Sequence, residues 1–326
     1  MTQSVPMAEI WRGPFLESVH TGHAVICDDT GQIIQSWGDP EAIVLPRSSS
    51  KMIQALPLIE SGAAAAYGLT SEQLALACAS HNGAAIHTDR VKAWLAEIER
   101  SDDDFMCGPQ IPDDDDARNT LVRAYASPCQ MHNNCSGKHT GFLTLAKHLD
   151  TSPDYINPAH PVQQACLEAF ERTTGETSPG FGIDGCSAPN YACTLHGMAR
   201  AMAHFASAAP DSAEGKLRSA MTQHPDLVAG EGRACTRLMR AMNGKVAVKT
   251  GAEGFFVAII PEQHIGVALK ITDGTTRASE CALAQILVNL GALDPNHPEA
   301  LAYTNGPIRN RRDIQTGNLR AAPALL

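Results

Sequence analysis

The sequence predicts an α+β fold in which one antiparallel sheet is built from both ends of the chain. Two short strand patterns, at residues 24–27 (AVIC) and 32–34 (QII), flank turn residues at 29–31, which is typical of a β-hairpin. Between this hairpin and the last third of the chain, apolar residues recur at helical spacing. Three more strand patterns then follow in succession, at residues 245–250, 254–260 and 265–271. We therefore expect an α+β architecture, with one sheet assembled from the two chain ends and a helical subdomain inserted into it.

The predicted helices combine this periodicity with Ser, Thr or Asp at the start or Gly at the end. In chain order they cover residues 48–60, 71–78, 88–100, 138–149, 161–172, 191–206, 213–223, 233–242 and 277–290. We expect a single unit over residues 1–326, with the sheet from about 10–46 and 245–320 and the helical insert from about 47–244. Two acidic runs, at 102–104 and 113–116, are expected to lie in a solvated loop, because their spacing is not that of an EF-hand.

Composition excludes several classes of partner. The chain of 326 residues has 25 Lys and Arg against 35 Asp and Glu, a net charge of −10 that repels nucleic acid and anionic lipid. The longest apolar runs are too short to span a bilayer, so no membrane partner is expected. The first 15 residues lack the apolar core of a secretory signal, which favours the cytoplasm. There, the ten cysteines should stay reduced as core thiols or metal ligands.

Three short motifs point to serine chemistry. Ser48 and Lys51 form S-x-x-K at a helix start, where the Lys amine can reach the Ser hydroxyl and the helix N-terminus favours a developing alkoxide. Taken alone, the motif also fits an N-cap Ser beside a solvated Lys. Ser80 begins an S-x-N element, and Lys249 begins a K-T-G element at the end of a predicted strand. This order of motifs is typical of penicillin-binding proteins and serine β-lactamases.

Two thiols lie in loops that lead into regular elements. Cys135 and Cys186 are surrounded by Gly and polar residues, unlike the cysteines in apolar runs, and two thiolates suit Zn²⁺. The further donors within reach are Lys138, His139, Asp184 or water. Simple burial of both thiols remains the alternative. The signature of a zinc nucleobase deaminase is incomplete, because its P-C-x-x-C element is missing: Pro128-Cys129 is not followed by a second Cys three residues later.

Six segments together resemble the rhizobial-type, or class 3, L-asparaginases of the asparaginase II family. They are residues 46–51 (PRSSSK), 80–83 (SHNG), 134–139 (NCSGKH), 184–189 (DGCSAP), 224–230 (HPDLVAG) and 249–254 (KTGAEG). The resemblance spans roughly residues 10–320. It implies a β-lactamase-like fold, a homodimer, and hydrolysis of L-asparagine to L-aspartate and ammonia.

The resemblance also implies roles for individual residues. The family's two Ser-Lys pairs correspond to Ser48 with Lys51 and to Ser80 with Lys249. Amide hydrolysis needs a nucleophile, a base that returns a proton to the leaving ammonia, and donors for the oxyanion. Ser48 is expected to attack the amide carbon with Lys51 as its base, while the Ser48 N–H and one N–H on the strand after Lys249 bind the oxyanion.

The family's zinc ligands, two Cys and an unusual Lys, correspond to Cys135, Lys138 and Cys186. Its substrate-binding or site-supporting positions correspond to Arg47, His139 and Asp184. We expect the zinc to orient the amino-acid end of the substrate, although a purely structural zinc stays open. Two other functions also stay open: a penicillin-recognising peptidase or β-lactamase, and a non-catalytic zinc-binding oligomer.

Overall fold

The computed structural model describes residues 3–326. Their strands are β1 (Val5–Arg12), β2 (Phe15–Cys27), β3 (Ile33–Trp37), β4 (Ile43–Val44), β5 (Phe181–Ile183), β6 (Pro189–Tyr191), β7 (Cys193–Thr194), β8 (Ala247–Gly251), β9 (Phe255–Ile260), β10 (Ile265–Ile271), β11 (Asn305–Arg309) and β12 (Gln315–Ala321). Their α-helices are α1 (Lys51–Gln54), α2 (Leu56–Glu60), α3 (Ala63–Ala66), α4 (Ser71–Ala77), α5 (Ala85–Glu97), α6 (Asp115–Arg123), α7 (Ser136–His148), α8 (Pro161–Thr174), α9 (Leu195–Ser207), α10 (Ala213–Gln223), α11 (Pro225–Val228), α12 (Ala234–Ala241), α13 (Thr276–Asn289) and α14 (Pro298–Thr304).

These elements divide into two compact units. The sheet unit contains residues 3–49, Cys193–Ser207 and the chain from Arg237 onwards, and the helical unit contains Ser50–Ala192 and Ala208–Thr236. The segment with α9 thus belongs to the sheet unit, although it lies within residues 47–244. Among residues 3–326, no helix is both long and apolar enough to cross a membrane.

The main sheet of the sheet unit is antiparallel throughout. Its order is β11-β12-β1-β2-β10-β9-β8, and β3 pairs with β2 beyond the end of β1. Strands from the first 37 residues are therefore hydrogen-bonded to strands from the last 80. This confirms the predicted α+β class, with an antiparallel sheet assembled from both chain ends.

The centre of this sheet is buried on both faces. All six residues of β9 are buried, which a strand with alternating side chains achieves only when both faces are covered. Helices α9 and α13 both pack on β9 and β10 and provide that cover. At Gly266 the backbone of α9 lies so close to β10 that a Cβ would meet Ala203 N and Ala199 O at 2.1 and 2.2 Å. Glycine is therefore required at this contact.

The helical unit is organised around α7. Residues 136–146 are all buried, so this helix is surrounded by its neighbours and not exposed along one face. Its first turn packs directly on α4, because a Cβ on Gly137 would lie 2.3 Å from the Leu76 carbonyl oxygen. This close approach brings the 134–139 segment next to the loop that follows α4.

Several predicted elements are corrected by the structure. Residues 48–60 form a 3₁₀ turn followed by α1 and α2, because Pro57 lacks the N–H that would continue one α-helix. The helix predicted from residue 191 begins only at Leu195, after β6 and β7. The second acidic run is not all loop: Asp114 caps α6 by accepting a hydrogen bond from the Ala117 N–H at 2.8 Å. The elements that had no predicted counterpart are β1, β5, β11, β12, α3, α6, α11 and α14.

Candidate active site

In the sheet unit, the segment that carries Ser48 lies against strand β8. The turn begins with a hydrogen bond from the Ser49 N–H to the Pro46 carbonyl at 3.0 Å. The Ser49 hydroxyl then donates to the Lys249 carbonyl at 2.9 Å. Ser48 itself is half-buried, and Lys249 is fully buried. The structure therefore brings the S-x-x-K serine and the K-T-G strand together within one unit.

Gly251 makes this arrangement possible. A Cβ on this residue would lie 2.6 Å from the Pro46 carbonyl oxygen and 2.9 Å from Ser49 Oγ, both too close for real contacts. Strand β8 is at the end of the sheet, so the edge facing away from β9 has no strand partner there. The Lys249 carbonyl points to that edge, and alternation along the strand places the Gly251 N–H on the same edge.

Arg47 precedes the turn with a strained backbone. Its φ of 53° lies in the left-handed region that non-glycine residues rarely adopt, at a cost of about 1 kcal/mol or more. Its side chain lines a cavity of about 650 Å³ in the sheet unit, together with Glu253, Lys270 and the apolar residues of β4. Cavities of this size are typical of small-molecule sites.

In the helical unit, Lys51 and Ser80 form a buried pair. Lys51 is 1% exposed, and its Nζ donates to Ser80 Oγ at 2.9 Å and to the Ala79 carbonyl. The loop is fixed by hydrogen bonds from the Ser80 N–H to Val228 O at 2.9 Å and from the His81 N–H to Asn134 O at 3.1 Å. Ser48 and Lys249, which were predicted to act with Lys51, belong to the sheet unit. Within the helical unit, the side chain that Lys51 contacts is that of Ser80.

The predicted metal-ligating residues lie together beside this pair. Lys138 Nζ donates to Cys186 Sγ at 3.1 Å, and the Cys135 thiol, which donates to Asn134 Oδ1 at 3.0 Å, is close enough to interact with Cys186. Cys135 precedes the first turn of α7, which also carries Lys138, while Cys186 lies in the turn between β5 and β6. All three side chains are buried. Lys51 is close enough to act electrostatically on the Cys135 thiol.

The charges of this cluster are strongly coupled. The interaction with Cys135 lowers the pKa of the Cys186 thiol well below its usual range, and Lys138 and His139 lower it further against the effect of burial. The same interaction, followed by burial, raises the pKa of Cys135. Burial opposes the charge on Lys138, but the two neighbouring thiols raise its pKa above the ordinary value. The cluster therefore favours negative charge on Cys186 over Cys135.

His139 and Asp184 are beside the same cluster. His139 Nδ1 lies 2.9 Å from the Tyr155 hydroxyl, and its Nε2 is buried without a protein hydrogen-bond partner of normal geometry. Asp184 begins the turn that carries Cys186, accepting at its carbonyl from the Ser187 N–H at 2.9 Å. Its carboxylate contributes to the raised pKa of Lys138. Both residues therefore lie next to the thiols within the helical unit.

Sequence reasoning missed the residues that hold these loops in place. His81 Nδ1 accepts from the Gly83 N–H at 3.1 Å, and its Nε2 donates to the Ser136 hydroxyl at 2.9 Å, which itself donates to Met131 O. This joins the S-x-N loop to the start of α7. Burial, followed by the neighbouring His87, lowers the pKa of His81 well below its ordinary value.

Whether this cluster could bind a metal ion depends on the chemistry of its donor atoms. Within the described part of the chain, no group of three or more His, Cys, Asp or Glu side chains could hold a metal ion. The cluster at Cys135 and Cys186 contains two such residues and, as its third donor, the amine of Lys138. Two thiols and an amine are a donor set whose chemistry fits Zn²⁺.

Comparison with solved structures finds remote relatives. A β-lactamase from Mycobacterium bovis is 12% identical, with 82% of this chain and 94% of that chain covered and a TM-score of 0.44. The native form of the protein Mglu is 12% identical, with 83% and 64% covered and a TM-score of 0.47. An octameric penicillin-binding protein homologue from Pyrococcus abyssi is 12% identical, with 85% and 75% covered and a TM-score of 0.36. These TM-scores are too low to inform the reaction.

The comparison with curated proteins gives no match. The family model of L-asparaginase II, in contrast, matches residues 8–321, which is nearly the whole chain and includes every candidate site residue described above. The protein therefore belongs to the L-asparaginase II family and is an amidohydrolase of the L-asparaginase type.

Proposed function

We propose that the protein hydrolyses L-asparagine to L-aspartate and ammonia through a covalent intermediate on Ser48. In this proposal Lys51 is the base for Ser48, and Ser80 and Lys249 form the second pair of a shared proton relay. The observation that carries the proposal is the buried Lys51 amine, which is hydrogen-bonded to Ser80 Oγ at 2.9 Å. A buried amine hydrogen-bonded to a hydroxyl can exchange protons with it, so this contact supports the proton relay between Lys51 and Ser80.

The reaction divides into two steps. Ser48 Oγ forms a bond to the side-chain amide carbon while its proton passes to Lys51 Nζ. When the C–N bond breaks, that proton leaves with the nitrogen as ammonia, and a β-aspartyl ester remains on Ser48. Water then attacks the ester carbon and gives one proton to the relay, which returns it to Ser48 Oγ as L-aspartate leaves.

We propose the N–H groups of Ser48 and Gly251 as the donors to the oxyanion of each tetrahedral intermediate. The free edge of β8 supports Gly251, because its N–H points to the same side as the Lys249 carbonyl that binds Ser49. Backbone donors of this kind are fixed before the reaction begins, and each is typically worth a factor of 10² to 10³ in kcat. Arg47 is proposed to bind substrate from the cavity that it lines.

We also propose that Cys135, Lys138 and Cys186 hold Zn²⁺, with Asp184 supporting the site. When bound, the ion would supply a positive centre that orients the amino-acid end of the substrate. Lys138 must bind as the neutral amine, so zinc uptake should release a proton and weaken as the pH falls. A homodimer in the cytoplasm is proposed as well, and the ten free cysteines support a reducing compartment.

Ammonia release from L-asparagine and L-glutamine, with and without added Zn²⁺, tests this function. We expect turnover of L-asparagine by the wild type and none by Ser48→Ala. Hydrolysis of nitrocefin by the wild type without release of ammonia from L-asparagine would replace the proposal with a β-lactamase. Full activity of Ser48→Ala would remove Ser48 from the mechanism.

A further inference from the structure

Beyond the proposed ligands, one histidine beside the thiols has a hydrogen-bonding arrangement that determines where its proton lies. His139 is fully buried, and so is Tyr155. Within residues 3–326, the Tyr155 hydroxyl has two hydrogen-bond partners, the Met106 N–H at 2.8 Å and His139 Nδ1 at 2.9 Å. The rings of His139 and Tyr155 meet edge to face, with centroids 5.4 Å apart.

The hydrogens available to the Tyr155 hydroxyl and its two partners determine the tautomer of His139. The Met106 amide can only donate, so the Tyr155 oxygen accepts from it and has one hydrogen of its own to donate. His139 Nδ1 is the acceptor for that hydrogen. The opposite arrangement, with a proton on Nδ1, would leave the buried hydroxyl hydrogen without an acceptor, which costs about 1–3 kcal/mol. The neutral ring therefore has its proton on Nε2.

The Nε2 atom of His139 is buried without a hydrogen-bond partner of normal geometry. Cys186 is the neighbour that interacts most strongly with this ring. Lys138 Nζ lies 3.1 Å from Cys186 Sγ, so the sulfur already accepts from one neighbour. A second N–H directed at the same sulfur would fix the orientation of the Cys186 side chain.

We propose that His139 is a positioning residue, held by Tyr155 as the Nε2–H tautomer, whose N–H is directed at Cys186 Sγ and orients that side chain for metal binding. The resemblance placed His139 among residues that bind substrate or support the site, and this inference assigns it the second role. It rests on the proposed zinc site, since Cys186 is one of the proposed ligands. The hydrogen-bond chain itself is independent of any metal.

The first test is NMR of the metal-free full chain labelled with ¹⁵N-histidine. We expect the His139 signals, identified by their loss in His139→Gln, to show a neutral ring protonated on Nε2. Tyr155→Phe removes the donor to Nδ1 and should produce a mixture of tautomers. A ring protonated on Nδ1 in the wild type would overturn the proposal.

The second test is zinc affinity, measured by competition with a chelator. Loss of an outer-shell partner typically weakens metal binding 10–100-fold, so His139→Phe should bind zinc about 10–100-fold more weakly. His139→Gln keeps an N–H donor and should lose less. Tyr191→Phe is the matched control, because this buried tyrosine donates to Gln163 O at 3.0 Å, and it should leave the affinity unchanged.

The outcomes separate this inference from the proposed function. If the wild type binds no zinc, the proposed metal site fails, and the tautomer experiment still decides the state of His139. If the wild type binds zinc and His139→Phe binds it equally well, the positioning role is wrong while the metal site stands. Loss of the Nε2 proton on loading with zinc would make His139 a direct ligand and also overturn the proposal.

Discussion

The close packing at Gly251 gives the most quantitative prediction for the active site. In Gly251→Ala, the new Cβ would meet the Pro46 carbonyl oxygen at 2.6 Å and Ser49 Oγ at 2.9 Å. Restoring the first contact to between 3.0 and 3.4 Å requires the strand and the Ser48 segment to separate by about 0.4–0.8 Å. The hydrogen bond from Ser49 to the Lys249 carbonyl holds the same two segments together, so it should weaken as well.

This displacement should affect catalysis more than folding. A misplacement of about 1 Å in a catalytic arrangement can cost a factor of 10², so kcat should fall about 10–100-fold. Overpacking a buried position costs about 1–3 kcal/mol, and the chain should remain folded with a lower Tm. The effect on kcat follows from separating Ser48 from β8, whose Gly251 N–H is the proposed oxyanion donor.

Steady-state ammonia release from L-asparagine measures this effect, together with thermal unfolding of the same samples. Gly141→Ala is the control, because its Cβ would meet its nearest neighbour, Leu58, at an ordinary 3.5 Å and Ala favours the helix. Gly141→Ala should retain wild-type kcat. If Gly251→Ala also retains wild-type kcat while its Tm is unchanged, the packing of Ser48 against β8 does not position the nucleophile.

Three further predictions concern the relay, the metal and pH. Lys51→Met and Lys249→Met should each abolish nearly all asparagine turnover, and a double variant far slower than either would show that the lysines act independently. Cys135→Ala should lose zinc in a metal analysis and chiefly raise KM; retention of one zinc per chain would remove Cys135 as a ligand. Burial lowers the pKa of His81 and His87. As the pH falls below about 6.5, these two histidines therefore become protonated in the unfolded chain but stay neutral in the folded chain. The free energy of unfolding, measured in urea, should therefore decrease by up to about 1.4 kcal/mol for each histidine per unit of decrease in pH. Greater stability at pH 5.5 than at pH 7.5 would contradict the burial of these histidines as neutral rings.

The sequence predicted the centre of the sheet well, for a physical reason. Strands β9 and β10 are buried on both faces, so they appear in the sequence as continuous apolar runs between clear turns. The strand β11 is different, because Asn305, Pro307 and Arg309 give it neither an apolar run nor regular alternation. Its pairing with β12 depends on backbone hydrogen bonds, which leave no trace in the side-chain pattern.

The sequence supplied candidate residues for the site but not their contacts. The spacing of S-x-x-K favoured Ser48 as the neighbour of Lys51, but the buried contact that the structure gives this amine is with Ser80. That contact depends on how α4 and its following loop pack in the helical unit. Tyr155 had no sequence signal, because it lies in an irregular segment and gains its role only through Met106 and His139.

The central claim is that Ser48 forms the covalent intermediate, and mass spectrometry of the protein quenched in acid during turnover of L-asparagine tests it most directly. We expect a mass increase of one aspartyl group, located by peptide mapping on Ser48 and absent from Ser48→Ala. Slowing the second step should increase the amount of this ester, and Lys249→Met is the variant in which to look for it. An aspartyl group on Ser80, or continued turnover by Ser48→Ala, would contradict the mechanism proposed here.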